Sequence, residues 1–360
     1  MVYRRIIFVL VMVFYTLGIA VAQDAETEPH VIPLYYDLTA SIDNNFDLDT
    51  LLAEVNTRLT EFALVVVPDP TPQGYLWTQS GITLFSSRDE DGEIQFVLEA
   101  NNPTLDRLSP VLESRHDVST STVETLADIL FALALYHHDS VDAAQRAFEA
   151  LIASDEPNQF HYYLGYLALL EDDYPAALAH FDTTFTDFHA ERVRVASSAA
   201  WALWQMGATD AAFERINTAL DGAVTVSNEV VLMRSRAYLF ALMLDYDAAL
   251  MDIDAAIALA ETHDFSRVTR AGLYTNRAEL VFLIYEWDRV EENLDMALEL
   301  DPTYAPAYFQ RGVLFYTMAR REDAIADFEM YLVLTPDGIY NEQATEYIES
   351  IEIELEALGG

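Results

Sequence analysis

The stretch that decides the fold covers residues 305–336 and reads APAYFQRGVLFYTMARREDAIADFEMYLVLTP. Its apolar residues recur with a helical period before and after residue 320, which predicts two helices joined by a short turn. Each helix carries one small residue, Gly312 in the first and Ala324 in the second, and Phe328 follows Ala324 by one turn. Small side chains let two helices approach closely, so the stretch predicts a tightly packed helical hairpin.

The same arrangement occurs six times between residues 119 and 338. A tetrad opens the second helix of each unit, and the tetrads begin at Val141, Tyr174, Thr209, Tyr246, Trp287 and Arg321. A small residue lies twelve positions before the end of each tetrad, at Ala132, Gly165, Ala200, Ala237, Ala278 and Gly312. A large apolar residue lies four positions after that end, at Phe148, Phe181, Ile216, Ile253, Leu294 and Phe328. Because a single helix pair cannot bury its apolar face, the repetition predicts stacked hairpins.

The repeated unit resembles that of the tetratricopeptide repeat family, a helix–turn–helix of about 34 residues. The last unit matches the family's pattern at Ala307, Tyr308, Gly312, Phe315, Ala324, Phe328 and Pro336, and the fifth ends in the typical Leu300-Asp301-Pro302. The first unit is degenerate, and the spacing from the fourth to the fifth is long. The resemblance implies a mostly α protein: a right-handed α-solenoid of about six helix–turn–helix repeats over residues 119–338, with a C-terminal capping helix in residues 339–360.

The resemblance also implies a groove that is lined by the first helices and binds a peptide or a protein segment. Counted from the small residue of each unit, the inward positions lie one and four residues later and three residues earlier. The residues predicted to line the groove are Tyr136, Tyr162, Tyr166, Trp201, Trp204, Arg234, Tyr238, Phe282, Phe309 and Tyr316. Tyrosine and tryptophan supply much of the binding energy at protein interfaces. The alternative is that these aromatic residues pack against neighbouring helices or the N-terminal module.

Residues 23–118 have a different sequence pattern, in which short strand-like runs alternate with Pro, Gly, Asn and Asp. They predict a small α+β module, for which no family resemblance is identified. Its predicted elements are a strand at 34–38, a helix at 49–62, a strand at 63–67, a hairpin of 82–85 with 93–98, and a helix at 104–114. A ligand-binding or enzymatic activity in this module, with the solenoid as its targeting arm, is the alternative to a pure scaffold.

The first 22 residues have the pattern of an export signal. Arg4 and Arg5 precede an apolar run, and Ala20-Val21-Ala22 forms a small-residue cleavage pattern before an acidic segment. We therefore expect an exported protein from which residues 1–22 are removed. The alternative is a membrane-anchored protein that keeps its leader, because the apolar run is close to the shortest membrane span.

Composition restricts the partner and the chemistry. The chain has 60 Asp and Glu against 19 Arg, no Lys and no Cys, and its formal net charge is −41. Such a surface repels nucleic acid and favours a hydrophobic or basic partner over an acidic one. The histidines form no metal-binding motif, and a partial calcium-loop match at Asp43, Asn45 and Asp47 has Leu48 where the loop needs Gly, so it is interpreted as a helix-capping turn. The sequence therefore predicts no catalytic residues, no metal and no cofactor.

Overall fold

The structure is a computed structural model, and it describes residues 29–38, 46–69, 81–88, 94–100, 116–120, 123–153, 160–184, 189–223, 225–335, 338 and 340–359. The described residues form two compact units, one that runs to Asp173 and one that begins at Tyr174. The predicted export signal, the predicted helix at 104–114 and the first residues of the calcium-loop match lie outside the described residues.

Unit one contains a mixed sheet of five described strands in the order β2-β1-β3-β4-β5. The strands are β1 (His30–Asp37), β2 (Leu64–Asp69), β3 (Ile82–Arg88), β4 (Ile94–Ala100) and β5 (His116–Thr120). β1 pairs in parallel with β2 and β3, whereas β4 is antiparallel to β3 and β5. Parallel neighbours need a crossover, and helix α1 (Leu48–Leu59) with a 3₁₀ turn (Thr60–Phe62) connects β1 to β2. The predicted α+β class is therefore confirmed.

Helix α1 has a polar cap at its start and an apolar face along its length. Asp47 caps its start, because one carboxylate oxygen accepts hydrogen bonds from the backbone N–H groups of Asp49 and Thr50. The helix buries Leu51, Val55 and two further leucines toward the sheet. This capping role is the one the sequence favoured over calcium binding for Asp47.

The outer edge of β2 is closed by a side chain rather than by another strand. The amide of Asn56 on α1 donates to the carbonyl oxygen of Val66 at 2.9 Å and accepts from its N–H at 2.8 Å. These are the two bonds that a neighbouring strand would make, so the Asn56 amide satisfies backbone groups of the edge strand.

Three repeat helices belong to unit one: α2 (Val123–His137), α3 (Val141–Ala153) and α4 (His161–Leu170). α2 packs on α1 and β4, and Arg58 of α1 joins the two helices by pairing with Asp128 at 2.7 Å and lying 4.1 Å from the ring centre of Phe131. Residues 119 and 120, which the sequence assigns to the helical region, belong to β5 instead. The change from strands to helices therefore occurs inside a compact unit.

Unit two consists of consecutive antiparallel helices. Their bounds are α5 (Tyr174–Thr183), α6 (His189–Gln205), α7 (Thr209–Asp221), α8 (Val226–Leu242), α9 (Tyr246–Thr262), α10 (Arg267–Leu283), α11 (Trp287–Leu300), α12 (Ala305–Thr317), α13 (Arg321–Leu334) and α14 (Asn341–Gly359). Each helix from α6 to α14 packs on the one before it. The predicted capping helix is α14, whose Tyr347 stacks on Phe328 of α13 with ring centres 4.9 Å apart.

The register read from the sequence is the register of the structure. Each of the six tetrads begins at the first residue of a helix, namely α3, α5, α7, α9, α11 and α13. The small residue, the last tetrad residue and the large apolar residue are buried in every repeat. In the sixth repeat a Cβ placed on Gly312 would lie 2.8 Å from the ring of Phe328, so the contact between α12 and α13 depends on the missing side chain.

The turn inside every repeat uses one left-handed residue. It lies two positions before the second helix and has a positive φ at Asp139, Asp172, Gly207, Leu244, Tyr285 and Ala319. The next residue's N–H then bonds back to the first helix, as Arg320 does to the carbonyl of Phe315 at 2.8 Å. This geometry satisfies a terminal helix carbonyl and reverses the chain within three residues.

Three arginines, which we call the arginine clamps, join helices of repeats four to six. They are Arg236, Arg277 and Arg311, each placed directly before the small residue of its repeat. Arg311 makes a two-pronged pair with Asp327 of its own repeat at 2.8 and 2.9 Å and pairs with Asp295 of the preceding repeat at 2.7 Å. Each clamp therefore holds the two helices of one repeat together and attaches them to the repeat before.

The two other clamps repeat this arrangement with small differences. Arg236 pairs with Asp252 through two bonds of 2.8 Å and donates to Asn217 of the preceding repeat. Arg277 pairs with Asp254 of the preceding repeat at 2.8 Å and donates to the side-chain oxygen of Asn293 in its own repeat at 3.4 Å. Hydrogen bonding to the carboxylates raises the pKa of Arg236 and of Arg311 above the usual arginine value.

Candidate partner-binding face

Six residues at inward positions on the first helices of unit two keep exposed surface, and we call these residues together the first-helix face. It consists of Trp204 on α6, Arg234 and Tyr238 on α8, Glu279 and Phe282 on α10, and Tyr316 on α12. All six residues are partly or largely exposed. Each of them lies one or four residues after the small residue of its repeat, or three residues before it. Positions that are three or four residues apart lie on the same side of a helix, so these side chains share the inward side of the first helices.

Aromatic rings are clustered at the α6–α8 end of this face. The indoles of Trp201 and Trp204 stack with ring centres 5.4 Å apart, and Tyr238 lies 6.1 Å from Trp201. Trp201 is only 6% exposed, so it supports the other two rings from below. A partly exposed ring held on a buried one is a rigid apolar surface, and rigid aromatic surfaces lose little entropy on binding.

A polar group lies in the middle of the face. Gln310 of α12 donates a hydrogen bond to the carboxylate of Glu279, and Asn276 supplies another. The residue keeps exposed surface, yet nearby protein atoms lower the hydration of its carboxyl, and this desolvation raises its pKa to about 7. The two hydrogen bonds and the charge of Arg234 act in the opposite direction. The carboxyl therefore changes between donor and charged acceptor near neutral pH.

The remaining predicted groove residues are buried. Tyr136, Tyr162 and Tyr166 have no exposed surface in unit one, and Phe309 is 6% exposed. Tyr136 packs against Tyr163, and the hydroxyl of Tyr162 donates to that of Tyr166 at 2.9 Å. For these residues, and for Trp201, the structure shows the alternative that the sequence left open: their rings fill the space between helices, where burial of apolar area favours them.

Two features of the site were not predicted. Glu279 occupies an inward position, but a raised pKa depends on atoms contributed by other helices, and the spacing of residues in one sequence does not reveal them. The arginine clamps have a signal in the sequence, because the acceptors Asp252 and Asp327 each follow their arginine by sixteen residues.

Among the described helices, none has both the length and the apolar composition needed to span a membrane. No protein-family model matches the chain. A stretch of 79 residues is 35% identical to RNA polymerase II-associated protein 3 of Mus musculus, and it covers 22% of this chain and 12% of that protein. The chain thus corresponds to a small fraction of this relative.

Two solved structures follow a similar course over about two thirds of this chain. Yeast Tom70 superimposes with a TM-score of 0.49 at 18% identity, over 64% of this chain and 47% of Tom70. A tetratricopeptide repeat protein from Parabacteroides merdae gives a TM-score of 0.48 at 15% identity, over 64% of this chain and 86% of that one.

The chain's own geometry identifies its architecture. Helix pairs of constant register, a small residue at each close contact and a left-handed turn in every repeat are combined with a terminal capping helix. The helical region of this chain therefore has a tetratricopeptide-repeat-like fold.

Proposed function

We propose that this protein is an exported, non-enzymatic scaffold that binds a hydrophobic or basic segment of a partner protein on the first-helix face. The observation that carries the proposal is the row of partly exposed rings on successive first helices: Trp204, Tyr238, Phe282 and Tyr316. Their rings are held by neighbours, as the stack of Trp201 with Trp204 and the contact of Tyr316 with Tyr347 illustrate. Fixed rings at repeated spacing suit an extended or helical segment that spans several repeats.

Electrostatics supports the preference for a basic partner. The formal net charge of −41 favours the approach of a positively charged segment. Glu279 adds a carboxylate within the face itself, and its charge is largely present above about pH 7. An acidic partner would be repelled by the negative charge of the surface. Among the six residues of the first-helix face, Arg234 is the one that carries a positive charge.

Photo-crosslinking tests this assignment in the producing cell. A photoreactive phenylalanine derivative replaces Trp204 in one variant and Glu329, an exposed residue of the second helix α13, in a matched control. We expect a discrete partner to crosslink from position 204 and not from position 329. Equal crosslinking from both positions, or crosslinks only within the chain, would contradict binding on this face.

The captured partner then allows a quantitative test. Tyr238→Ala should weaken its affinity by about tenfold, because anchoring aromatic residues contribute over 1 kcal/mol each. Met330→Ala on the exposed surface of α13 is the control and should leave the affinity unchanged. An unchanged affinity for Tyr238→Ala would remove the face from the interface.

Export is tested separately by the mass of the protein recovered from its host. We expect a mature chain that begins at Gln23 and lies outside the cytoplasm. Recovery of the full-length chain in the membrane fraction would instead support the anchored alternative.

A further inference from the structure

A second candidate site lies away from the first-helix face, between α7 and the turn that joins α8 to α9. There a cavity of about 530 Å³ opens to solvent. Its apolar part consists of Phe213, Phe240 and Met243, and four carboxylates stand around it: Asp210, Glu214, Asp221 and Asp245. The cavity shares no residue with the first-helix face, so the two sites can be tested independently.

The lining has the two features that hold an organic cation. The rings of Phe213 and Phe240 lie 4.8 Å apart and are half-buried, and Met243 is 53% exposed. Aromatic faces attract cations through their electron-rich surface, and a nearby carboxylate adds a hydrogen-bonded charge pair. Within the described part of the chain, Asp210 and Glu214 make no ion pair, so their charges remain available to a ligand.

The same chain shows what such a groove accepts. In the equivalent place between α11 and the turn from α12 to α13, the guanidinium of Arg320 lies 3.9 Å from the ring centre of Phe315. It pairs there with Glu291 at 2.7 Å and with Asp323 at 2.8 Å. Phe315 follows the small residue Gly312 by three positions, just as Phe240 follows Ala237.

The two grooves differ at three positions. Phe213 and Ala248 stand where the groove of the sixth repeat has Glu291 and Asp323, so the carboxylates of the cavity, Asp210 and Glu214, come from other positions of α7.

The third difference is the residue that would supply the cation. The position directly before the second helix is Arg320 in the sixth repeat and Asp245 in the fourth. Where the sixth repeat supplies its own guanidinium, the fourth has an acid, an accessible phenylalanine ring and an open cavity. The nearest clamp, Arg236, is engaged with Asp252 and Asn217.

We propose that the cavity between α7 and the α8–α9 turn binds an arginine side chain of a partner protein, with the guanidinium over Phe240 and its N–H groups toward Glu214 and Asp210. The partner's arginine takes the place that Arg320 occupies in the sixth repeat. A planar guanidinium matches both the aromatic rings and the carboxylates around the cavity.

Methionine methyl resonances report on this site directly. Met243 lies in the cavity, and Met318 has the same position in the sixth repeat, where Arg320 already lies over the ring. We would titrate the full chain, labelled with ¹³C at the methionine methyl groups, with an acetylated and amidated Gly-Arg-Gly peptide at physiological salt. The expected result is a saturable shift of the Met243 resonance, a stationary Met318 resonance, and no shift with the Gly-Gln-Gly peptide.

Variants separate this site from general attraction to an acidic protein. The double change Asp210→Asn and Glu214→Gln affects exposed side chains and should weaken peptide binding by about three- to tenfold. The double change Glu322→Gln and Glu329→Gln on α13 removes the same charge elsewhere and should leave the Met243 titration unchanged. Equal weakening by both double variants, or parallel shifts of Met243 and Met318, would overturn the proposal.

Removal of Arg320 supplies a test in the opposite direction. In Arg320→Ala the ring of Phe315 loses the guanidinium at 3.9 Å and keeps that of Arg311 at 5.6 Å, so the Met318 resonance should begin to respond to the arginine peptide. A Met318 resonance that remains stationary in this variant would show that a ring and its carboxylates do not suffice, and would overturn the argument from the sixth repeat.

Discussion

At the scale of single residues, the close contact between α12 and α13 depends on Gly312. A methyl group at this position would lie 2.8 Å from the ring of the buried Phe328, which packs against Phe309 and Tyr347 and has no room to retreat. Gly312→Ala should therefore lower the free energy of unfolding by about 1–3 kcal/mol, measured by chemical denaturation. Gly222→Ala is the matched control, because its added Cβ meets its nearest neighbour at 3.5 Å; a similar loss in both variants would contradict the steric explanation.

Arg311 is the clamp with the most nearly buried carboxylate acceptor. Asp327 is 5% exposed and receives two hydrogen bonds from the Arg311 guanidinium. Arg311→Ala leaves this carboxylate without its partner, so we expect a loss of about 2–3 kcal/mol in the free energy of unfolding. Arg289→Ala, which removes an exposed pair with Glu286, should cost at most about 0.5 kcal/mol. Equal costs for the two variants would show that the clamp contributes no more than a surface pair.

Leu244 carries backbone strain at an exposed turn. Its φ is +63°, in the left-handed region, and its side chain is 60% exposed. Leu244→Gly removes the clash of Cβ with the backbone and loses little buried apolar area, so it should raise the free energy of unfolding by about 0.5–1 kcal/mol. Met251→Gly, at an exposed position inside α9, should have the opposite sign and serves as the control. A lower melting temperature for Leu244→Gly would contradict this account.

At the scale of elements, the helices were predictable because their signal is local. The tetrads marked the first residue of each second helix, because five of the six end in an alanine that lets the second helix approach the first. Strand β5 was not predicted, because its sequence HDVST holds a single apolar residue and its partner β4 lies beyond a long connection. The positions of the aromatic residues on the first helices could be predicted, but whether Tyr162 is buried and Trp204 exposed depends on neighbouring elements.

The packing of α10 beside α12 makes the stability of the array depend on pH. The folded state raises the pKa of Glu279 from 4.5 to about 7, so it binds this proton more tightly than the unfolded chain does. The contribution of this group to stability is therefore full below about pH 4.5 and is lost as the pH rises to about 7.

Glu279→Gln removes this titration and tests its sign. The loss of stability between pH 5 and pH 8 should be smaller in the variant than in the unmodified protein, as followed by thermal melts in buffers of equal ionic strength. Parallel stability curves for the two proteins would contradict the assigned pKa.

At the scale of the whole molecule, the arginine clamps among the described side chains lie toward one end of unit two. The arginine clamps occupy repeats four to six, whereas the third repeat has Ala199 at the clamp position. In that repeat Arg215 pairs instead with Asp182 of α5, on the side of the preceding helix. The described side chains of α6 and α7 share a buried apolar cluster that includes Ala200 and Ala212.

We therefore expect local unfolding of unit two to begin at the end that contains α6 and α7. In native-state hydrogen exchange, amides of α6 and α7 should exchange before those of α12 and α13, because local opening begins where the fewest bonds must break. Simultaneous exchange of all these helices would show that unit two opens as one block. Trp204 stands on the helix that opens first. A partner that binds there would suppress local unfolding at that end of unit two. Part of its binding free energy would then be used to keep the first repeats folded.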